Sequence, residues 1–337
     1  MRVFLTGGTG LLGSHVAERL RESGYEVRVL VRQGSDTGLL RALGCELVQG
    51  DLGDSPEAHA GRMEGCEGVV HSAGEVYGSG SLAETVNLNA GGTRRVLEGA
   101  ALAGTTSGVH ISSVAVYGDG VGPWMEDRPW SREVARGNTY ALSKRKAEEV
   151  VEELHGRRGL GVTILRPPVL FGERDRRFVP RVVRMLKGRV VLLPGSGRNR
   201  LAAVYAGNVA EAVERGLKGV GAGEAFNVSE DVGLTPRALL EGLGRAIGLH
   251  PHFISIPGRL ARIAATLVDR AGIGVPGVRG LSLTRAVRLS MEDNPYPAEK
   301  ARLILGWSPP YSLDEALART GMWLRQEEER SKKGRGE

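Results

Sequence analysis

Tyr140 and Lys144 stand four residues apart in TYALSKRKAEEVVEEL, and Ser112 and Ser113 close the apolar stretch GVHISS upstream of them. On a helix, residues four apart share a face. A phenol titrates near pH ~10 and is a poor base at neutrality, but a neighbouring ammonium favours the phenolate and lowers that value. Tyr140 beside Lys144 can then exchange a proton with a substrate hydroxyl while a hydride moves elsewhere. The same spacing is also common on solvated helices. The surrounding elements must decide between the two readings.

A second candidate lies almost at the first residue, in TGGTGLLG (6–13), which runs into SHVAERLRESG. Gly7, Gly10 and Gly13 follow a strand-like segment and precede a helical one, with Val16, Ala17 and Leu20 at helical spacing and Gly24 as a stop. In that setting the first glycine permits a tight turn, the second lets the backbone approach a pyrophosphate, and the third lets the helix pack on the strand. The helix N-terminus then offers unpaired N–H groups and a positive dipole end to phosphates. With 50 glycines in the chain, the triplet alone would equally suit a structural turn.

The elements that must position these residues alternate. VFLT (3–6), EVRVLV (26–31), ELVQ (46–49), GVVH (68–71), GVHI (108–111) and VTILR (162–166) read as strands, with helices between most of them. This order predicts an α/β fold, a Rossmann-type doubly wound parallel sheet covered on both faces. Helices are expected over Leu82 to Ala103 and over Thr139 to Leu154; the latter carries Ala147, Val150, Val151 and Leu154 as its apolar stripe. After Arg166 the pattern changes, with RPPVLFG, PGSGRNR and NPYP as breaks. The expected organisation is a dinucleotide-binding domain over 1–167 rejoined by 201–229, a smaller and mostly helical C-terminal substrate lobe over 168–200 and 230–325, and a charged, disordered tail over 326–337. A helix over 259–271 places Leu260, Ile263, Ala264, Leu267, Val268 and Ala271 on one face, which is expected to be buried in the lobe, with a membrane-surface role as the alternative.

Composition removes several classes. Of the 337 residues, 41% are hydrophobic and 25% charged, an ordinary globular balance, and no apolar run approaches a membrane span. Met1 to Leu5 is too short an apolar stretch for a signal peptide, so a cytoplasmic location is expected. Cys45 and Cys66 lack nearby histidines at metal-ligand spacing, and no metal site is expected. The net charge of +6 comes from scattered arginines rather than a basic stripe with aromatics, which argues against nucleic acid. His71 and His110 end strands and are read as core residues, and His15 as a packed helix residue.

Several stretches together resemble the extended branch of the short-chain dehydrogenase/reductase family, the NAD-dependent epimerase/dehydratase superfamily. TGGTGLLG matches its TGxxGxxG; GDLGD (50–54) its Gly-Asp-Leu/Val element; VVHSAG (69–74) its VxHxAA; NAGGT (89–93) its NVxGT; HISSVAVYG (110–118) its SSxxVYG; YALSK (140–144) its YxxxK. RPPVLFG (166–172) is similar to RPxxVYG and LGWSPPYSLDEAL (305–317) to the closing LGWxPxxSLxEGL, so the resemblance spans about residues 1–325 in the family's order. It implies a nicotinamide cofactor held by Gly7, Thr9, Gly10, Leu11, Leu12 and Gly13. Asp51 and the Leu52 backbone are implied at adenine and Ala73, between Ser72 and Gly74, at the adenosine ribose, with Pro167 and Val169 also on the cofactor. Lys144 is implied to hold the nicotinamide ribose beside Tyr140, Ser113 to position the substrate oxygen with Ser112 as the alternative, and Asn89 to hold the site's hydrogen-bond network. A homodimer through the helices over 82–103 and 139–154 is a further implication.

One departure bears on the cofactor. Members preferring NAD usually end the second strand with an acid, whereas this chain reads VLVRQGSD, with Val31 in that place and Arg32 after it. A guanidinium suits a 2′-phosphate, and the missing carboxylate removes a repulsion, so NADP(H) is expected over NAD(H), with Arg32 as selector. RNRLAAVYAGNVAEA (198–212) is closer to the 3β-hydroxysteroid dehydrogenase and dihydroflavonol reductase-like branch than to sugar-nucleotide members. The expected reaction is NADP(H)-dependent interconversion of a carbonyl and a secondary alcohol on an apolar or mixed-polarity small molecule. Tyr77, Trp124, Met125 and Trp130 are candidates for an apolar pocket, though loop packing explains them equally well. Arg198 and Arg200 keep open a nucleotide-sugar epimerase or dehydratase; a catalytically silent dinucleotide-sensing protein is the third reading.

Overall fold

The computed structural model describes residues 1–75, 81–118, 122–127, 138–229, 233–272 and 283–333. The first strand, β1 (Arg2–Thr6), is a run of apolar and β-branched side chains that are fully buried from Val3 to Leu5. Three further parallel strands, β2 (Glu26–Val31), β4 (Gly68–His71) and β5 (Ser107–Ile111), and also β6 (Gly161–Arg166), are mostly buried runs of the same kind, whereas β3 (Glu46–Gln49), at the sheet edge, is only half-buried at Leu47 and Val48. Ala225–Asn227 then pairs in parallel with β6, closing a seven-stranded sheet. From that edge the order runs through β6, β5, β4 and β1 to β2 and β3. The strand order therefore reverses between β1 and β4, and the crevice beyond their carboxyl ends is where such sheets bind ligands.

The helix Leu11–Glu22 covers one face through Leu12, Val16, Ala17 and Leu20, and Gly24 ends it at φ +82° with its N–H bonded to Arg21 O. The helix Thr139–Leu154 starts where Asn138 accepts a hydrogen bond from Ala141 N (3.2 Å) and buries Ala147, Val150, Val151 and Leu154. The segment expected as one helix over 82–103 differs. It begins with a capping box between Ser81 and Glu84, widens into a π-helical turn over Asn87–Gly91, and resumes as an α-helix over Gly92–Leu102. A π turn inserts an extra residue and redirects the helix beyond it, and such turns are frequent at functional sites.

Met1–Leu170, Ala206–Ser229 and Tyr296–Pro310 form one compact unit, and Phe171–Tyr205, Glu230–Pro295 and Tyr311–Glu337 a second. Residues 296–310, placed with the smaller lobe by sequence, group with the first unit. Trp307 is buried there with its indole N–H donating to Asn208 O (2.9 Å), and Lys300 pairs with Glu224 at 2.7 Å. The second unit is built around Phe171, Val182, Leu186, Leu193, Leu239 and Leu317. The charged tail, expected to be disordered from residue 326, continues its helix from Leu313 to Lys333, with intrahelical pairs such as Arg330 with Glu327 supporting it.

Candidate active site

At Gly7 the backbone has φ +77°, and a Cβ there would lie 2.7 Å from Ala73 N, so the turn after β1 rests directly on the backbone after β4. A Cβ on Gly13 would overlap the Gly7 carbonyl, which makes that position glycine by contact rather than by conformation. Gly10 N donates to Gly7 O (2.9 Å) and caps the helix Leu11–Glu22 with no side chain and no acidic residue in the first turn. The result is a helix N-terminus with no side-chain cap, over a turn that side chains cannot crowd. Its backbone donors suit a pyrophosphate, so the residues present fit a dinucleotide.

A directed hydrogen-bond chain links this turn to the π turn. Thr93 Oγ1 donates to Asn89 O (2.7 Å), so it accepts from His71 Nε2 (3.1 Å); His71 Nδ1 then accepts from Thr6 Oγ1 (2.8 Å), which takes Ala73 N (3.3 Å). That order assigns the proton of His71 to Nε2. Burial pushes the His71 imidazole down to about 3, with the Lys144 cation acting in the same direction, so it stays neutral. His71 is thus a buried strand-end residue that also ties β1 to the π turn.

The π turn aims Asn89. Its Oδ1 accepts from Glu75 N (2.8 Å), and its Nδ2 donates to Glu75 O (3.0 Å) and to Ser143 Oγ (2.8 Å). Ser143 Oγ donates in turn to Tyr140 O (2.8 Å), so Asn89 grips the first turn of the helix that carries Tyr140. One turn on, Lys144 is buried with its Nζ donating to Ile111 O (2.8 Å) at the end of β5. Burial pushes this ammonium down to about 8, and the Glu148 carboxylate pulls the other way. A Cβ on Gly74 would sit 3.5 Å from that Nζ, so a residue without a side chain keeps this approach to the lysine open.

The two serines after Ile111 have different fates. Ser112 is buried and donates to the Glu148 carboxylate in a short hydrogen bond. Ser113 is half-buried; its Oγ accepts from Ala115 N (3.2 Å), its one hydrogen bond among the described residues, and caps the short turn Val114–Tyr117. Glu148 is held by Arg166 through bonds of 3.0 and 2.6 Å, and Arg166 Nη1 donates to Tyr117 Oη (2.9 Å), which donates to Asn227 Oδ1 (2.9 Å). Sequence reasoning missed this network and Ser143. Glu148 continues the Tyr140–Lys144 face by another four residues, a signal that was available, whereas Arg166 and Asn227 meet it only through the sheet.

The profile of the NAD dependent epimerase/dehydratase family matches residues 3–229, the stretch that carries the glycine turn, Asn89, Ser113, Tyr140 and Lys144. The chain belongs to that family. Among its relatives is the 4-hydroxy-2-methyl-3-oxo-4-farnesyl-3,4-dihydroquinoline-1-oxide ketoreductase of Stigmatella aurantiaca, 29% identical over 325 residues and covering 94% of this chain and 95% of that one. The N-acetyl-alpha-D-glucosaminyl-diphospho-ditrans,octacis-undecaprenol 4-epimerase of Escherichia coli O157:H7 is 27% identical over 323 residues, covering 94% and 93%. Among solved structures, dTDP-glucose 4,6-dehydratase DesIV from Streptomyces venezuelae, with NAD and TYD bound, superposes at a TM-score of 0.73 with 26% identity, covering 97% of each chain.

The other candidate residues of this family member divide between the glycine turn, the neighbouring strand ends and the second unit. Thr9 is exposed on the glycine turn, Leu11 and Leu12 open its helix, and Ser72 and Ala73 are half-buried beside it. Val31 is buried, and Arg32 after it is exposed with no ion pair among the described residues. Asp51 shapes the GDLGD turn, its Oδ1 accepting from Gly53 N (2.9 Å), while Leu52 rests against Gly92. Pro167 O accepts from Val114 N (3.2 Å), beside Ser113, and Val169 is exposed. Trp124, a candidate pocket residue, is instead buried in a stack on Tyr117 (5.7 Å), its carbonyl accepting from Asn227 Nδ2 (2.9 Å), so packing accounts for it. Tyr77 and Trp130 lie outside the described residues. Arg198 and Arg200 are exposed in the second unit, where Arg200 N donates to Asp293 Oδ1 (2.7 Å).

Proposed function

We propose that this chain is an NADP(H)-dependent oxidoreductase that interconverts a carbonyl and a secondary alcohol on an apolar or mixed-polarity small molecule. The observation that carries the reading is the buried Lys144 ammonium on the Tyr140 face, anchored at Ile111 O and open toward Gly74. An ammonium whose own charge is disfavoured by burial gains most when an anion forms beside it, and the Tyr140 phenolate is that anion. When bound, the nicotinamide supplies or accepts the hydride. Tyr140 passes the proton to or from the substrate oxygen, and Ser113 Oγ, clear of the Glu148 bond that occupies Ser112, positions that oxygen. Asn89, through Ser143, holds the turn from which Tyr140 projects. The exposed Arg32 after Val31 supports the choice of NADP(H) over NAD(H).

The ketoreductase relative favours net redox chemistry. A second reading, nucleotide-sugar epimerisation or dehydration, uses the same Tyr140 for a transient oxidation; the exposed Arg198 and Arg200 and the epimerase relative favour it. Nicotinamide absorbance, with products resolved by mass and chirality, separates the two. Stoichiometric cofactor turnover on hydroxy or keto compounds supports the proposal, and sugar conversion without net cofactor change replaces it with the second reading.

A further inference from the structure

In the second unit, the helix Gly258–Arg270 is turned the opposite way from a core helix. It buries its small residues, Ala261 and Ala265, and leaves Leu260, Ile263 and Leu267 exposed at 57%, 56% and 60%. Their spacing of three and four residues puts them on one face, so the expected burial of this stripe in the lobe does not occur. The helix Leu283–Met291 packs alongside, where Thr266 Oγ1 meets Thr284 Oγ1 at 3.3 Å.

Charge is distributed to match. Arg259, Arg262 and Arg270 are exposed on the same helix, and none is held in an ion pair among the described residues. Asp269 is its sole acid, and that carboxylate accepts from the backbone N–H groups of Leu283 and Thr284, both at 2.9 Å. At 3.6 residues per turn Arg259 and Arg270 fall within about 40° of Ile263 and border the apolar stripe, whereas Arg262 lies on the side of Asp269, the carboxylate engaged at the neighbouring helix. Nearby in the same unit, the strand pair Val190–Pro194 and His252–Ile256 exposes Leu192 and Ile254 opposite one another, just after the exposed cations Lys187 and Arg189.

We propose that this helix docks in the plane of an anionic lipid surface, with Leu260, Ile263 and Leu267 entering the boundary between headgroups and acyl chains and Arg259 and Arg270 meeting lipid phosphates. No helix among the described residues is long and apolar enough to cross a membrane, so the contact is peripheral. Charge complementarity selects lipid over a protein partner, since a bare stripe of leucines would suit either. The inference stands on the second unit alone and goes beyond the proposed reaction.

The test is cosedimentation of the full chain with vesicles of phosphatidylcholine alone and of phosphatidylcholine mixed with phosphatidylglycerol. Binding is expected to the anionic vesicles, at least about tenfold above the neutral ones, and to weaken as salt rises. Each arginine near such a surface contributes roughly a fivefold gain in partitioning, so the combined R259A and R270A variant should lose about twenty-five-fold. The I263D and L267D double variant should lose at least about tenfold with unchanged thermal unfolding, because both side chains are already in water. Equal partitioning onto both vesicle types, no binding to either, or full binding by the double variant would overturn the proposal. So would a concentration-dependent dimer that the double variant disperses, which would assign the face to a second copy of the chain.

Discussion

Replacing Lys144 by methionine should remove turnover while leaving the fold intact, and the accompanying change in stability should depend on pH in a way that reports the burial of this ammonium. Burial lowers Lys144 from 10.5 to about 8. At about 1.4 kcal/mol per tenfold in a proton equilibrium, the parent carries a penalty of about 3 kcal/mol for keeping this charge inside at neutral pH. Methionine removes the penalty but strands the Ile111 carbonyl that Lys144 Nζ now bonds, at a cost of about 1–3 kcal/mol. At pH 7 the two nearly cancel, so the variant should match the parent or exceed it slightly.

The pH dependence is sharper. Because the folded-state value is depressed, the unfolded chain binds the extra proton between about 8 and 10.5, and the parent gains stability as pH rises through that window. The gain is complete above 10.5 and is lost as pH falls through about 8. Some 2 kcal/mol of it, roughly, falls between pH 7.5 and pH 10. Denaturant unfolding of Tyr140→Phe and of Tyr140→Phe with Lys144→Met at those two pH values isolates the effect, because the tyrosine that Lys144 influences is absent from both and the remaining tyrosines and cysteines titrating in the same range cancel in the difference. A stability gap that stays constant between the two values would refute the assignment of Lys144 as a buried, destabilised cation.

Two further outcomes concern other parts of the site. Arg32→Ala should erase the proposed preference for NADPH over NADH, lowering NADPH affinity by about tenfold or more while leaving NADH nearly unchanged, as read by fluorescence titration of each cofactor; an unchanged ratio would remove Arg32 as the selector. Glu148→Gln leaves the buried Arg166 guanidinium without its counter-charge and should cost about 3–5 kcal/mol in denaturant unfolding, whereas a loss under 1 kcal/mol (roughly the worth of an exposed pair) would show that water reaches Arg166.

The parallel sheet was legible because its strands are short Val-, Leu- and Ile-rich runs bounded by turn residues, and the helix carrying Tyr140 because Ala147, Val150, Val151 and Leu154 form a regular apolar stripe. The glycine turn was legible because its spacing has a steric meaning, which the contacts of Gly7 and Gly13 express. The π turn at Asn87–Gly91 was not, since an apolar period tolerates one inserted residue without a change in composition. Nor was the network of Glu148, Arg166, Tyr117 and Asn227, whose members come from separate segments and meet only when the sheet forms. The helix Gly258–Arg270 marks another limit. Amphipathic spacing identifies an apolar face, but which side packs inward depends on its neighbours in the fold, and here the alanines go in.

The most direct test of the Tyr140–Lys144 chemistry compares parent and Tyr140→Phe for NADPH binding and for turnover of the same carbonyl substrate. The substitution removes one hydroxyl from the helix and leaves the glycine turn, Asn89 and Lys144 in place. Cofactor affinity should therefore hold within about twofold while turnover falls by roughly two to four orders of magnitude, the usual contribution of a positioned acid–base group. Turnover within a few-fold of the parent would contradict the account, because the proton would then be moving without Tyr140.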